Sequence, residues 1–333
     1  MRAWQAPRYG GPEVLRLHDL PEPHPGPGEV VVRVRAIGLN FADCMARQGV
    51  YPQVPAPPFV PGMEVAGEVT AVGDGVADPR PGARVVAVPI FGGHAEAVRV
   101  QARFAYTLPP SIDWTTGAAL AVTGVTANHA LFTLGRLRVG DRVAVTAAAG
   151  GVGTMAIQMA VNAGARVLAV ASTAEKQALA RQLGAQEAAG YEEYRDALAS
   201  GVDLVLDSVG GALFTPGWRA LRPDGRYILF GMASVAGRRT VRRLWAGLQV
   251  LRMGFVSPFP LVSQCRTLSG FNLSLVPHLA AELRERFASL LALVTVGELK
   301  PVVGAVFPFS ELPKAHALLQ SRASTGKVVV TLP

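Results

Sequence analysis

A run of small residues between a strand and a helix constrains the fold most strongly. Residues 147–153 read Ala-Ala-Ala-Gly-Gly-Val-Gly, between the apolar residues 143–146 and a helical pattern that continues to Ala163. The spacing A-x-x-G-x-x-G differs from the dinucleotide-binding pattern G-x-G-x-x-G only at its start. Small side chains let a pyrophosphate approach the backbone, where a helix N-terminus presents free N–H groups. We therefore predict a phosphate-binding turn whose cofactor-binding residues are Ala149, Gly150, Gly151, Val152 and Gly153; the alternative is a tight turn without a ligand.

The segments around this turn predict two kinds of architecture. From Asp141 to Phe230, short apolar strands alternate with helices, as in a parallel βαβ sheet buried on both faces (strands 142–146, 166–171, 203–206 and 226–230; helices 151–163 and 175–183). Residues 1–120 are mostly β, with strands at 30–37, 65–72 and 84–88 between Pro- and Gly-rich loops. A last strand, residues 327–332, needs a partner, and the N-terminal β-domain is the simplest one. The nucleotide domain is thus expected to be inserted in the other.

Composition excludes several classes of protein. A chain of 333 residues suggests two domains at roughly 150 residues each. The net charge is +8, but the Arg residues are spread along the chain, so we expect no nucleic-acid partner. The two cysteines, Cys44 and Cys265, are far apart, which excludes a structural four-cysteine zinc site and favours the cytoplasm. The N-terminus has no apolar signal-like stretch. The uncharged run 143–165 is long enough to span a bilayer, but its glycines favour strand, turn and helix.

The end of the second predicted strand indicates the cofactor. NAD enzymes usually carry an acid there, which binds the ribose 2′-hydroxyl. Here the strand runs into Ser172 and Thr173, and Lys176 follows within one turn. A hydroxyl and an ammonium suit a 2′-phosphate, so the sequence favours NADPH, with Ser172 and Lys176 as cofactor-binding residues. The alternative for Lys176 is a solvated surface lysine, and Glu175 stands beside it.

Three motifs resemble the quinone oxidoreductase branch of the medium-chain dehydrogenases/reductases. They are Gly-Leu-Asn-Phe-Ala-Asp at 38–43, Gly-Val-Tyr-Pro at 49–52 and Pro-Gly-Met-Glu-Val-Ala-Gly at 61–67. Met-Ala-Ser at 232–234 and Ser-Gly-Phe-Asn-Leu at 269–273 resemble the vesicle amine transport protein subgroup. The resemblance implies an α/β protein with a GroES-like β-barrel domain (1–122 and 266–333) and a doubly wound Rossmann domain (123–265), and a cofactor in the cleft between them.

The resemblance also implies site residues. Thr126 matches a threonine on the nicotinamide side, Tyr191 a tyrosine near the adenosine phosphate, and Arg322 an arginine that pairs with the 2′-phosphate. For Arg322 the alternative is a surface residue. A homodimer is expected through edge strands near residues 268–273.

Departures from the zinc alcohol dehydrogenases predict a zinc-free enzyme. Asn40 stands where those enzymes have Cys, and Met63 where they have His; neither is a usual zinc ligand. His94 lacks neighbouring ligands in the sequence, which favours a polar or packing role. Asp43 and Glu64 are interpreted as structural groups that bind backbone or a basic side chain.

The expected reaction is hydride transfer from NADPH to a quinone or a similar activated carbonyl compound. Asn40 and Tyr51 are the predicted catalytic residues, as hydrogen-bond donors to a developing oxyanion, and Asn40 is also a predicted cofactor-binding residue. Their alternatives are a turn residue and a packing aromatic. Reduction of an enone double bond, or an NADPH-binding regulatory or membrane-associated protein with little turnover, are the rival functions. Residues 237–256 carry five Arg among apolar residues, and we favour a loop and helix beside the cleft over a helix on a lipid surface.

Overall fold

The computed structural model describes residues 1–235, 242–254, 256–275 and 277–333. The predicted segment 237–256 therefore lies partly outside the described residues, including Arg238, Arg239 and Phe255. The chain divides into two compact units, the first formed by Met1–Val125 with Val276–Pro333 and the second by Thr126–Leu275. The second unit is thus inserted between the two segments of the first unit.

Fifteen strands form three sheets within the described residues. In chain order they are β1 Arg2–Gln5, β2 Arg16–Asp19, β3 Glu29–Leu39, β4 Val65–Val72, β5 Arg84–Ala87, β6 Ala97–Gln101, β7 Ala105–Thr107, β8 Arg142–Thr146, β9 Arg166–Val170, β10 Glu187–Ala189, β11 Val202–Asp207, β12 Leu221–Leu229, β13 Thr267–Gly270, β14 Val303–Pro308 and β15 Lys327–Thr331.

Eleven α-helices are assigned in the same part of the chain. They are α1 Phe41–Arg47, α2 Trp114–Ala118, α3 Ala121–Asn128, α4 Gly151–Asn162, α5 Ala174–Gln182, α6 Tyr194–Ala197, α7 Phe214–Arg219, α8 Arg242–Met253, α9 Phe259–Ser263, α10 Ala280–Thr295 and α11 Leu312–Ser321. A π-helical turn, His129–Leu134, follows α3.

The first unit is built on a curved, mainly antiparallel sheet. Its strand order is β14-β15-β3-β4-β5-β7, and β6 also pairs with β3. The inward side chains of these strands form one apolar core, to which Val32, Ile37, Val65, Val85 and Val330 contribute. The last strand pairs antiparallel with β3, with Val328 opposite Leu39. The prediction that the final strand completes the N-terminal β-domain is therefore confirmed.

The second unit is a parallel sheet with the order β10-β9-β8-β11-β12-β13. All five residues of β8 are buried, as expected for a central strand covered on both faces. The chain runs outward from β8 through β9 to β10 and then crosses back to β11 on the other side of β8, so the sheet is doubly wound about β8. The uncharged run 143–165 is β8, a turn and α4, as predicted.

The sequence-based boundary at 265/266 differs from the observed pairing. Strand β13 lies in register beside β12, with Leu268 opposite Tyr227, so these residues extend the parallel sheet. No helix among the described residues has the length and apolar character needed to cross a bilayer.

Candidate functional site

The predicted phosphate-binding turn joins β8 to α4. Ala147 adopts a left-handed conformation with φ of 48°, and the Gly150 N–H donates to its carbonyl at 2.9 Å. Gly150 then caps α4 in an extended conformation. A Cβ on Gly153 would lie 2.5 Å from the Ala148 carbonyl oxygen, so the first helical turn packs directly on the loop. The N–H groups of that first turn have no partner within the helix and can bind an anion.

The candidate 2′-phosphate residues lie at the same edge of the sheet, after β9 and β10. Ser172 is exposed, and the Thr173 hydroxyl caps α5 by accepting from the Lys176 N–H at 3.3 Å. Partial burial holds the pKa of Lys176 below its usual value. Tyr191 follows β10 with 37% of its surface exposed. Because the carboxyl ends of parallel strands share one edge, the structure brings these residues to the edge that carries the turn.

The remaining predicted residues are placed as follows. Thr126 is half-buried in α3. Arg322 is an exposed residue of the first unit that ends α11 with a left-handed φ of 63°. Tyr51 is half-buried in the loop after α1, where its ring meets the Phe91 ring edge-on with centroids 6.5 Å apart.

Asn40 lies in the first unit at the centre of a buried polar cluster. Its side-chain carbonyl accepts from the Lys327 ammonium at 2.6 Å, and its amide nitrogen donates to the Gly38 carbonyl at 3.1 Å and to Glu64 at 3.3 Å. Its backbone N–H donates to Asp43 Oδ2 at 2.8 Å, which caps the start of α1. An ammonium can only donate hydrogen bonds, so the Asn40 amide must turn its oxygen, and not its nitrogen, toward Lys327. Both amide hydrogens of Asn40 are thereby engaged.

Lys327 is the residue of this cluster that sequence reasoning missed. Its ammonium forms an ion pair with Glu64 at 2.5 Å, and the two side chains are 3% and 0% exposed. The second carboxylate oxygen of Glu64 accepts the Val122 N–H at 2.8 Å. The interpretation that Glu64 and Asp43 bind backbone or a basic side chain is confirmed. The sequence feature that could have indicated it is the position of this lysine, one of four in the chain, directly before the apolar run Val-Val-Val of a predicted strand.

Burial alters the acid–base properties of this region. Desolvation raises the pKa of Asp43 to about 7, against the Asn40 N–H and the Lys327 charge, which lower it. Nearby, His94 stacks edge-on with His316 at 5.0 Å, and desolvation lowers the pKa of His94 to about 3. The predicted polar or packing role of His94 is confirmed, because its ring is completely buried and one of its nitrogens lies 3.5 Å from the ring of His316.

Comparison with known proteins decides the family. Residues 26–133 match the family described as alcohol dehydrogenase GroES-like domain, and residues 183–330 match zinc-binding dehydrogenase. The human synaptic vesicle membrane protein VAT-1 homolog is 35% identical over 333 residues, which cover 97% of this chain and 84% of that protein. The human quinone oxidoreductase is 30% identical and covers 100% and 98%.

The chain belongs to the quinone oxidoreductase family. The crystal structure of the quinone oxidoreductase from Thermus thermophilus, also solved with NADPH, superimposes with a TM-score of 0.83 at 39% identity over 100% of both chains. As a quinone oxidoreductase family member, the chain has the predicted medium-chain dehydrogenase/reductase fold, with a GroES-like first unit and a Rossmann-like second unit.

Proposed function

We propose that this chain is an NADPH-dependent oxidoreductase that transfers a hydride to a quinone or a similar activated carbonyl compound without zinc. The observation that carries the proposal is the turn at 147–153, which opens α4 at the carboxyl edge of a parallel sheet. The NADPH complex of the Thermus thermophilus enzyme, which has the same fold, supports it.

The surroundings of β9 support NADPH over NADH. No acid follows this strand before the cap of α5, and the ammonium of Lys176 and the hydroxyl of Ser172 suit a 2′-phosphate. In this proposal the turn residues hold the pyrophosphate, Thr126 lies on the nicotinamide side, and Tyr191 and Arg322 serve the adenosine phosphate. Titration with NADPH and NADH tests the assignment: tighter binding of NADH would contradict it.

The residues at the zinc position of the related alcohol dehydrogenases do not fit that metal. The Asn40 carbonyl faces the Lys327 ammonium, and a second cation there would be repelled. Met63 offers a buried thioether, which is not a usual zinc ligand. Among the described residues, no group of three or more His, Cys, Asp or Glu side chains could hold a metal. We therefore expect quinone reduction to continue at the same rate in the presence of a strong zinc chelator.

NADPH supplies the hydride when it is bound, and the protein orients the substrate and excludes water. Of the two predicted oxyanion donors, Asn40 has both amide hydrogens engaged by Gly38 and Glu64. We therefore assign Asn40 the holding of its loop, and Tyr51 the hydrogen bond to the developing oxyanion. Tyr51→Phe should lower kcat for quinone reduction roughly tenfold, as expected for the loss of one hydrogen bond of about 1.4 kcal/mol. An unchanged kcat would remove Tyr51 as a donor.

The rival function is NADPH binding with little turnover. It is favoured by the name of the 35% identical human relative, a synaptic vesicle membrane protein. NADPH consumption should be measured against a panel of quinones, enones and aldehydes. Turnover with quinones supports the proposal, and turnover confined to enones supports double-bond reduction. Tight NADPH binding without turnover would favour the binding function.

We also propose that the protein is a homodimer of the cytoplasm. Strand β13 is at the edge of the parallel sheet, and an unpaired edge is satisfied by pairing with a second copy. Beside it lies an apolar groove of about 380 Å³ that includes Phe214, Leu229 and Leu268. The free thiols of Cys44 and Cys265 suit a reducing compartment.

A further inference from the structure

A completely buried carboxylate ends strand β11. Asp207 Oδ1 accepts from the Thr146 hydroxyl at 2.8 Å and from the Val209 N–H at 2.8 Å. Its Oδ2 accepts from the Tyr227 hydroxyl at 2.6 Å, and the Gly210 N–H lies 3.1 Å from both oxygens. All four groups donate, which is the arrangement that an ionised carboxylate requires.

The partner Thr146 joins this carboxylate to the phosphate-binding turn. It is the last residue of β8 and directly precedes Ala147, the first residue of the turn. Its hydroxyl donates to Asp207 and accepts the Ser208 N–H at 3.1 Å. One hydroxyl group therefore connects the strand that bears the turn with residues 208–211, which we call the β11 loop.

The β11 loop is also tied to the segment after β12. The Ala233 N–H donates to the Ser208 carbonyl at 3.1 Å, and the Ser234 N–H donates to the Val209 carbonyl at 3.0 Å. Thr146 and Asp207 thus act on the ends of three neighbouring strands, β8, β11 and β12.

The order of the strands shows which half of the cofactor these loops would serve. Strand β8 lies between β9 and β11, and the candidate 2′-phosphate residues Ser172 and Lys176 follow β9. With the pyrophosphate at the turn after β8, the adenosine half extends over β9. The nicotinamide half must then extend over β11 and β12, where the β11 loop and residues 231–234 lie.

We propose that Thr146 and Asp207 are a pair of positioning residues that hold the β11 loop for the nicotinamide half of NADPH. The proposal rests on the proposed function. Thr146 is 1% exposed and Asp207 0%, so neither side chain is accessible to the cofactor itself. Their effect is transmitted through the backbone of the β11 loop.

Two probes separate this role from a general effect on the turn. NADPH spans both halves of the site, whereas 2′,5′-ADP contains only the adenosine half with one phosphate of the pyrophosphate. Thr146→Val removes the hydroxyl at nearly constant size, and Thr146→Ser retains it. We expect Thr146→Val to raise the Kd of NADPH about tenfold, as for one lost hydrogen bond, and that of 2′,5′-ADP less than about threefold. Thr146→Ser should bind both probes within about threefold of wild type.

Tyr227→Phe is the matched control, because it removes a donor to the same carboxylate without changing the turn or the β11 loop. In this variant the ratio of the Kd of NADPH to the Kd of 2′,5′-ADP should stay at its wild-type value. Equal losses for both probes in Thr146→Val, or no loss for either, would overturn the inference. Thr146→Ala replaces Thr146→Val if the latter does not fold, with the same expected ratio. A wild-type chain that binds neither probe overturns the proposed function and the inference together, whereas wild-type binding with an unchanged Thr146→Val overturns the inference alone.

Discussion

The charged ammonium of Lys327 lies in the interior of the first unit, where it forms an ion pair with Glu64 and donates a hydrogen bond to the side-chain oxygen of Asn40. A buried ion pair contributes little net stability compared with an apolar pair, but breaking it leaves one charge without compensation. The pair therefore fixes the orientation of Asn40 more than it strengthens the fold.

Removing the lysine alone should consequently be costly. We expect Lys327→Met to lower the free energy of unfolding by about 3–5 kcal/mol, because the Glu64 carboxylate remains buried and unpaired. The double variant Lys327→Met, Glu64→Gln should recover part of that loss. Urea unfolding of wild type, both single variants and the double variant measures the coupling, and strictly additive losses would contradict a paired role.

Asp43 predicts a dependence of stability on pH. Its folded pKa of about 7 exceeds the ordinary value of 3.8, so the folded chain binds a proton more strongly than the unfolded chain. This contribution to stability is present below about pH 4 and is lost as the pH rises to about 7. Asp43→Asn keeps the size and an acceptor oxygen but does not titrate.

The stability of wild type relative to Asp43→Asn should therefore fall between pH 5 and pH 8 by an amount on the order of a few kcal/mol. Urea unfolding of both proteins at several pH values measures this difference in stability. The variant is the control for other titrating groups such as His94, which both proteins contain. Parallel curves for the two proteins would refute the assignment.

Single residues were predicted from sequence where the chemistry is local. The backbone role of Asp43 could be predicted, since it lies three positions from the Asn40 N–H that it caps. The partner of Glu64 could not, because 263 residues separate it from Lys327 and only the pairing of β3 with both β4 and β15 brings them together.

At the scale of elements, the turn at 147–153 contains one glycine, Gly150, with room for a methyl group and another, Gly153, packed against the backbone. A Cβ on Gly150 would have its nearest neighbour at 3.2 Å, the Ala147 carbonyl, whereas a Cβ on Gly153 would lie 2.5 and 2.6 Å from two carbonyl oxygens. Gly150 also has an ordinary extended backbone, with φ of −82°. The two glycines therefore serve different purposes.

We expect Gly150→Ala to weaken NADPH binding about tenfold or more with a change in unfolding free energy below about 1 kcal/mol, because the new methyl group obstructs the phosphate. Gly153→Ala should lose both binding and stability, by about 1–3 kcal/mol, since the backbone must move. NADPH titration and thermal unfolding of the two variants measure this. Equal stability losses would show that the turn tolerates neither methyl group.

Elements of the second unit were predicted closely because burial on both faces gives each strand a continuous apolar run. Strand β8 matches its predicted bounds, and α4 ends one residue early, at Asn162. Less was predictable near the chain end, where the sequence analysis places only the last strand, residues 327–332, and the structure also contains α11, Leu312–Ser321. Its proline lies in the first helical turn, where a missing N–H costs nothing.

At the scale of the whole molecule, the proposed dimer depends on the edge strand β13. Leu268 on that strand is 38% exposed, and Leu17 in the first unit is 41% exposed. We expect Leu268→Asp to convert a species of twice 35.0 kDa into one of 35.0 kDa, since a carboxylate cannot be buried against a second copy. Leu17→Asp should leave the mass unchanged.

Sedimentation at several concentrations distinguishes the two variants. A wild-type protein of 35.0 kDa at all concentrations would rule out the dimer, and a dimer that survives Leu268→Asp would place its interface elsewhere. Fold class and the inserted unit were predictable because continuous apolar runs mark the parallel sheet and the last strand needs a partner in the N-terminal β-domain. The residue pattern alone did not place β13 in the parallel sheet, since a strand of four residues carries too little pattern, and only the family resemblance implied an edge strand there.

The pairing of β15 with β3 has a consequence for biosynthesis. Strand β3 emerges from the ribosome early, but the strand that lies beside it is translated only after the complete parallel-sheet unit. During that interval residues 36–39 of β3 lack their partner strand β15 and the carboxylate of Glu64 lacks its lysine, since β6 pairs only with residues 29–33. An unpaired strand edge is a site of aggregation, so the first unit is exposed to aggregation until β15 has been translated. A premature stop codon before position 327 would remove the cation that completes the cluster around Asn40.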